Sequence, residues 1–338
     1  MRFGVVGLGS MGSRRVRDLR SLGHEVFGFD VREDRNQRAV ARFGIPTTSS
    51  LRALIDCRLD ALVISTPPDE HVDLYRAAFD ARLPFFSEAS ILTPTAEWFA
   101  EHEHRSKVRG YPSATWRFYA PLQALARALL GPGAPRVTAV HHEYADYLPR
   151  WHPWESYWEF YAGARRRTSA AREMVPFEFE WLCWLFGEVA EVSAVMERLG
   201  SWRTDIDDSY FLHVRFAGGV LATVRIELHR EAPARLATVC GVGRSYQLEF
   251  NNAELRSFDA GTGVWQVLPV PESEFEKVYE AEIACFAGVL AGTAQYPKSW
   301  ADDRHLSNVL VAAEVSARER RRVRVAEVAS AYDGLSLE

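Results

Sequence analysis

The stretch Arg2-Phe-Gly-Val-Val-Gly-Leu-Gly-Ser-Met-Gly12 runs a short apolar strand into Gly7-x-Gly9-x-x-Gly12 and on into a segment of helical pattern. Each glycine has a separate physical task. The first permits the tight strand-to-helix turn, the second lets backbone approach a pyrophosphate, and the third lets helix pack closely on strand. Ser10 and Met11 then stand at the helix N-terminus, whose positive end attracts phosphate. A second apolar run, Glu25-Val-Phe-Gly-Phe-Asp30, places a carboxylate about 20 residues on, where such folds accept the ribose hydroxyls. These residues predict a nicotinamide dinucleotide site in which Asp30 favours NAD. Arg32 leaves NADP open, because a guanidinium pairs bidentately with a 2′-phosphate. The bland alternative is a turn-opening Asp30 and a solvated Arg32.

Strand and helix patterns alternate from there. Phe3–Gly7, Glu25–Asp30, Ala61–Ser65, Pro84–Glu88 and Val108–Ala114 read as strands, with helices near Met11–Leu22, Glu33–Phe43, from Glu70, and Thr95–His104. This predicts an α/β unit over residues 1–118, a doubly wound parallel sheet of the Rossmann type. After Pro121 come a helix to Leu130 and the breaker Gly131-Pro132-Gly133. Alternating segments follow at Val137–Tyr144, Glu191–Leu199, Tyr210–Phe216, Val220–Leu228, Arg235–Val242 and Ser245–Phe250. Gly218-Gly219 and Gly241-x-Gly243 mark hairpins between them. Residues 119–338 are thus expected to form an α+β domain on a large, open, mostly antiparallel sheet, with helices at Glu274–Ala291 and 301–320, the last able to return to the first domain. The uncovered sheet face predicts a homodimer or homotetramer.

Composition fits a two-domain enzyme: 338 residues, 47% hydrophobic, with a formal charge of −5 and no extended basic face to suggest nucleic acid or an anionic membrane. Arg165-Arg166-Arg167 reads as a solvated loop, with a phosphorylated ligand as the alternative. Cys57, Cys183, Cys240 and Cys285 are dispersed among apolar neighbours, read as buried small residues, and predict neither zinc nor disulfides. No metal site is expected, since His141 and His142 project to opposite faces of a strand. No signal segment or membrane span is evident, which makes the cytoplasm the expected compartment.

The stretch from Tyr144 to Tyr161 concentrates Tyr147, Arg150, Trp151, His152, Trp154, Glu155, Tyr157, Trp158 and Tyr161. Flat aromatic faces suit a pyranose and the polar groups suit its hydroxyls, although an aromatic interface has the same composition.

Taken together, the chain resembles the Gfo/Idh/MocA family of NAD(P)-dependent oxidoreductases over nearly its whole length. Ser65-Thr-Pro-Pro-Asp-Glu-His71 is similar to the family's T-P-x-x-x-H turn beside the nicotinamide ribose. Glu88-Ala89-Ser90 falls at its E-K-P, Trp116-Arg-Phe-Tyr-Ala-Pro121 at its R-F-x-P, and Trp184-Leu-Phe-Gly187 at its W-L-x-G. The resemblance implies cofactor contacts at Ser65, Thr66, Pro67, His71 and Glu88, and substrate contacts near Ala89, Trp116, Arg117, Phe177 and Glu180. It also exposes two departures: Ala89 replaces the lysine and Phe177 the histidine that usually hold the substrate hydroxyl and move its proton. Neither side chain can transfer a proton. Pro176 reads as the first residue of a helix, which leaves Glu173 just outside it and facing an interdomain cleft. Glu173, Tyr157, Tyr161 and His152, in falling order, are therefore the candidate proton carriers. Arg150, Trp154, Glu155 and Arg172 are further candidate substrate contacts.

The expectation is an NAD-dependent oxidoreductase, with NADP open, acting on a sugar, amino sugar, sugar nucleotide or polyol. A reductase of imines or activated double bonds and a non-catalytic binding protein are the alternatives.

Overall fold

The computed structural model describes residues 1–271 and 274–329. The chain divides into two compact units, Met1–Phe118 with Glu274–Arg304, and Tyr119–Ser273 with His305 onward.

In the first unit, β1 (Arg2–Val6), β2 (Glu25–Phe29), β3 (Ala61–Ile64), β4 (Phe85–Ser87) and β5 (Gly110–Pro112) form a parallel sheet in the order β2-β1-β3-β4-β5. Both faces of this sheet are covered, so its strands are apolar throughout rather than alternating. Phe3, Val5 and Val63 pack on one side with Val16 and Leu19, while Val6, Leu62 and Ile64 pack on the other with Tyr75, Phe79 and Phe99. The helices Ser10–Ser21, Glu33–Phe43, His71–Asp80 and Ala96–Ser106 lie where the periodicity predicts them. A short helix, Leu51–Ile55, has too little sequence for a period and escapes prediction; Ser50 Oγ caps it by accepting from the Ala53 N–H.

Segment 274–304, expected with the second domain, counts with the first. Its helix Phe275–Leu290 inserts Ile283 and Phe286 into the core around Phe3 and Phe86, and its buried Glu282 pairs with Arg15 at 2.6 Å. Of the helix Trp300–Glu319, only the first turn to Arg304 belongs here, where Trp300 stacks on Phe99 at 3.8 Å.

The second unit is built on nine strands: β6 (Val137–Tyr147), β7 (Val189–Glu197), β8 (Ser209–Phe216), β9 (Leu221–Glu227), β10 (His229–Gly241), β11 (Arg244–Glu249), β12 (Glu254–Asp259), β13 (Val264–Leu268) and β14 (Val323–Arg324). Their order is β13-β12-β11-β10-β6-β9-β8-β7-β14; β6 and β9 run parallel and the other pairs antiparallel. Gly219 and Gly243 take positive φ, +88° and +77°, in the two hairpins expected at those glycines. β12 and β13 were not foreseen: β12 is mostly polar and β13 is largely exposed, so neither shows a half-buried alternation. Along β6, β8 and β9 alternate residues are buried, and one face of the sheet packs on the helix Ala170–Phe186 through His142 against Trp181 and Phe216 against Phe186.

That helix corrects an expectation. It begins at Ala170, with Glu173 N–H donating to the Ser169 carbonyl at 2.9 Å, so Pro176 lies inside it and Glu173 in its first turn. Ala170 and Ala171 are fully buried strong helix formers, and they carry the helix past the proline toward the N-terminus. The four cysteines are also not fully buried: each keeps a partly exposed surface, Cys57 at the edge of the first unit's core. Among the described residues, no helix is long and apolar enough to cross a membrane.

Candidate functional site

In the first unit the glycine loop has the geometry that a pyrophosphate needs. Gly7 sits at φ +84°, and a Cβ on Gly12 would lie 1.8 Å from the Gly7 carbonyl oxygen, so neither position accepts a side chain. A Cβ on Gly9 would meet only the guanidinium end of Arg35, at 3.5 Å. The first bond within the following helix is Ser13 N–H to Gly9 carbonyl, so the N–H groups of Ser10, Met11 and Gly12 precede the helical ladder at its positive end. Ser10 Oγ also accepts from Arg14 at 2.8 Å. These residues fit a dinucleotide.

Asp30 is buried at the end of β2. Its Oδ2 accepts from the Leu8 N–H at 2.7 Å and its Oδ1 from the Arg32 N–H at 2.8 Å, which ties the second strand to the glycine loop. Oδ1 keeps a further lone pair for a hydroxyl, whereas Oδ2 also faces the Arg35 guanidinium. The Arg32 side chain turns instead to Asp34, with Nε and Nη2 each at 3.0 Å from its carboxylate. Arg35, which the motif reading missed, is the cation nearer Asp30, at 3.5 Å, on the next turn of the helix after β2.

At the ends of β3 and β4, Ser65, Thr66, Pro67, Glu88 and Ala89 are partly exposed. Glu88 is gripped by Arg15, with Nε to Oε1 at 2.7 Å and Nη2 to Oε2 at 3.0 Å, and Ser65 Oγ donates to it at 3.3 Å. His71 does not reach a ligand as the resemblance implies. It is fully buried, burial pushes its pKa down to about 4, and its Nε2 lies 3.0 Å from the Thr66 carbonyl, so the neutral ring braces the Thr66-Pro67 turn from behind.

In the second unit the aromatic stretch is split rather than gathered. Glu173 and Tyr161 come together: the Tyr161 hydroxyl lies 3.2 Å from Oε1 and 3.1 Å from Oε2 of Glu173. Tyr157 is drawn away, its hydroxyl accepting from the Arg203 N–H at 2.9 Å and its ring lying against Trp202. His152 packs edge-on to Phe160 and near Trp154, which is 64% exposed. Arg150 stacks on Tyr147 and donates to the Glu231 carbonyl at 2.5 Å; Glu155 donates its N–H to the His152 carbonyl. Arg166 pairs with Asp207 at 2.8 Å, so the arginine run is partly an ion-paired surface.

Three expected substrate contacts are corrected. Arg172 is buried and binds Glu314 at 2.5 Å and the Arg167 carbonyl at 2.5 Å, because the helix starts at Ala170 rather than at Pro176, nearly two turns earlier than predicted, and turns it toward the helix Trp300–Glu319. Trp116 is 1% exposed in the core of the first unit against Phe275; its neighbour Arg117 keeps a partly exposed surface. Glu180 is buried, whereas Phe177 is partly exposed.

One buried polar cluster of this unit includes His142, which the sequence placed only as one of two histidines on opposite faces of a strand. On β6, His142 and Tyr144 share the buried face, and Arg235 on β10 stands directly opposite Tyr144. His142 Nε2 lies 2.7 Å from Glu178 Oε2, and Arg235 Nη2 donates to Glu178 Oε1 at 2.7 Å. Burial alone would push the Glu178 carboxyl up, but Arg235 and His142 outweigh it and hold it below its ordinary value. No pattern within one segment announces a group assembled from two strands and a helix.

A family model described as the oxidoreductase family, NAD-binding Rossmann fold, matches residues 1–106, and one described as the GFO/IDH/MocA C-terminal domain matches residues 126–246. None of the curated proteins matches the chain. Among solved structures it is similar to a putative NADPH-dependent oxidoreductase from Desulfitobacterium hafniense, with TM-score 0.82 and 15% identity over 97% of this chain and 98% of that one. It is also similar to levoglucosan dehydrogenase in complex with NADH, with TM-score 0.78 and 19% identity over 96% and 99%. A third is UDP-N-acetylglucosamine 3-dehydrogenase from Acidithiobacillus ferrooxidans, with TM-score 0.77 and 18% identity over 94% and 98%. The two family matches together span well over half of the sequence, and with the glycine-loop geometry they lead to one conclusion: the chain belongs to the Gfo/Idh/MocA family of NAD-binding oxidoreductases.

Proposed function

We propose that the protein is an NAD-dependent dehydrogenase of a sugar, amino sugar, sugar nucleotide or polyol, in which Glu173 with Tyr161 moves the substrate proton. The observation that carries this reading is the Tyr161 hydroxyl set against both oxygens of Glu173, in a chain whose Ala89 and Phe177 supply neither of the family's usual proton-transfer groups. The bound nicotinamide supplies hydride chemistry. Glu173 accepts the hydroxyl proton as its carbon is oxidised and returns it in the reverse direction, and Tyr161 orients the carboxylate. Ser65, Thr66, Pro67 and Glu88 position the nicotinamide half, and the glycine loop with Asp30 positions the adenosine half. Levoglucosan and UDP-N-acetylglucosamine in the names of similar structures support the sugar class. Self-association through the open face of the nine-stranded sheet belongs to the same reading.

The test is turnover on a panel of sugars and polyols with NAD. Glu173→Gln lowers turnover about tenfold or more while NADH affinity stays the same, the low end of general acid–base effects. Unchanged turnover would remove Glu173 from the mechanism.

A further inference from the structure

We propose that the ion triplet Glu88, Arg15 and Glu282, two carboxylates on one guanidinium, sets which redox form of the cofactor is held tighter: its surplus negative charge favours the oxidised nicotinamide over the reduced one. The proposal rests on the dinucleotide reading above and goes beyond it.

Sheet order places the triplet at the nicotinamide end of that site. Asp30 follows β2 and the glycine loop follows β1, so adenosine and pyrophosphate take those two strand ends and the nicotinamide falls to the ends of β3 and β4. Glu88 directly follows β4. Its N–H donates to the Ile64 carbonyl of β3 at 3.0 Å, and Ser65 Oγ donates to its carboxylate at 3.3 Å. The Glu88 side chain keeps 14% of its surface exposed, whereas those of Arg15 and Glu282 are fully buried. Ala89 stands where the family carries a lysine, so the next residue brings no cation to this glutamate.

Both acids are held as carboxylates. Glu88 accepts from Arg15 on both oxygens, at 2.7 Å from Nε and 3.0 Å from Nη2. Glu282 Oε1 accepts from the Ala114 N–H at 2.5 Å and the Ser113 hydroxyl at 2.9 Å, and its Oε2 from Arg15 Nη2 at 2.6 Å and the Thr115 hydroxyl at 3.1 Å. Each of the four oxygens therefore faces an N–H that can only donate. Among the described residues no second cation bonds to either acid, and cations of the neighbouring segments are matched elsewhere: Arg14 and Arg17 by Glu276, and Lys298 by Asp303. One guanidinium thus answers two carboxylates, and a single negative charge is left over. With Arg15 and Glu282 sealed from water, that charge is weakly screened, and it faces outward only at Glu88. An oxidised nicotinamide ring is a cation and a reduced one is neutral, so the surplus charge attracts the first more than the second. Glu88 carries the effect. Arg15 and Glu282 are positioning residues: the guanidinium fixes the Glu88 carboxylate on both oxygens, and the buried acid keeps that guanidinium from neutralising it fully. By linkage, a site that favours the oxidised form makes the bound reduced form the stronger hydride donor.

The experiment measures the affinities of NAD⁺, NADH and ADP-ribose, which lacks the nicotinamide, by calorimetry on the parent protein and three variants. Glu88→Gln removes the charge and Ala89→Lys sets a cation beside it; each is expected to weaken NAD⁺ relative to NADH by about fivefold or more, with ADP-ribose affinity unchanged. Glu88→Asp keeps the charge and is expected to hold the parent's NAD⁺-to-NADH ratio within about twofold. If Glu88→Gln does not fold, Ala89→Lys, at a partly exposed position, carries the test. A ratio that neither charge variant moves, a shift in Glu88→Asp as large as that in Glu88→Gln, or a parallel loss of ADP-ribose binding would overturn the proposal. Each of those outcomes leaves the parent protein binding NADH, and the dehydrogenase reading stands. A parent protein that binds none of the three nucleotides would overturn that reading itself, and the proposal with it.

Discussion

Arg15→Met costs the protein about 3–5 kcal/mol of stability, the range for removing one partner of a buried ion pair. Arg15 has a fully buried side chain on the helix that follows the glycine loop. Burial disfavours its charge, yet the pairing with Glu88 and Glu282 overcomes that and holds its pKa above the ordinary arginine value. It donates to Glu88 at 2.7 and 3.0 Å, to Glu282 at 2.6 Å and to the Tyr279 carbonyl at 2.9 Å, with its guanidinium 4.6 Å from the Phe86 ring centroid. Methionine fills much of the volume but leaves two carboxylates facing one another without a cation, one of them completely buried. At about 2–4 °C per kcal/mol for a unit of this size, the melting temperature falls by roughly 10 °C. The double variant Arg15→Met/Glu282→Gln recovers part of the loss, because a neutral amide no longer needs the cation, while its carbonyl oxygen accepts from the Ser113 hydroxyl and its NH2 donates to the Thr115 hydroxyl. A loss under about 1 kcal/mol, or no recovery, would show that the pair contributes little.

The second large effect separates two glycines of one loop. Gly12→Ala forces a methyl to within 1.8 Å of the Gly7 carbonyl oxygen and 2.8 Å of its carbon, both backbone atoms of the turn itself. The helix and strand must part, so the variant loses about 1–3 kcal/mol of stability, the cost of overpacking. NADH affinity falls by about ten- to a hundredfold as the N–H groups of Ser10 and Met11 move. Gly9→Ala meets only the mobile end of Arg35 at 3.5 Å, so the protein without cofactor keeps its melting temperature. Its methyl nonetheless occupies the approach that the pyrophosphate needs, and NADH affinity falls. Equal melting temperatures for the two variants, or full NADH affinity in either, would contradict this assignment of the loop.

What the sequence made legible is local. Gly7, Gly9, Gly12 and Asp30 lie within one strand-helix-strand unit, where spacing alone determines their neighbours, and the apolar strands of the first sheet follow from coverage on both faces. What it hid is assembled from distant segments. Arg15 meets Glu282 across 267 residues, and His142, Glu178 and Arg235 come from two strands and a helix; no period within one segment records such pairs. Pro176 misled in a different way. As a breaker it suggests a helix start, yet the buried alanines upstream extend the helix through it and carry Arg172 to Glu314 instead of to a ligand. The Tyr161–Glu173 contact lies between these cases: Tyr161 was named from composition and Glu173 from its place before Pro176, but their pairing depends on that longer helix.

The most direct measurement of the central claim is a paired titration of the protein with NADH and NADPH, followed by nicotinamide fluorescence and melting temperature. Asp30 at the end of β2, with Arg32 drawn to Asp34, predicts saturable NADH binding that raises the melting temperature, and weaker binding of NADPH. No binding of either nucleotide would contradict the account and would leave a protein that keeps the dinucleotide fold without its chemistry.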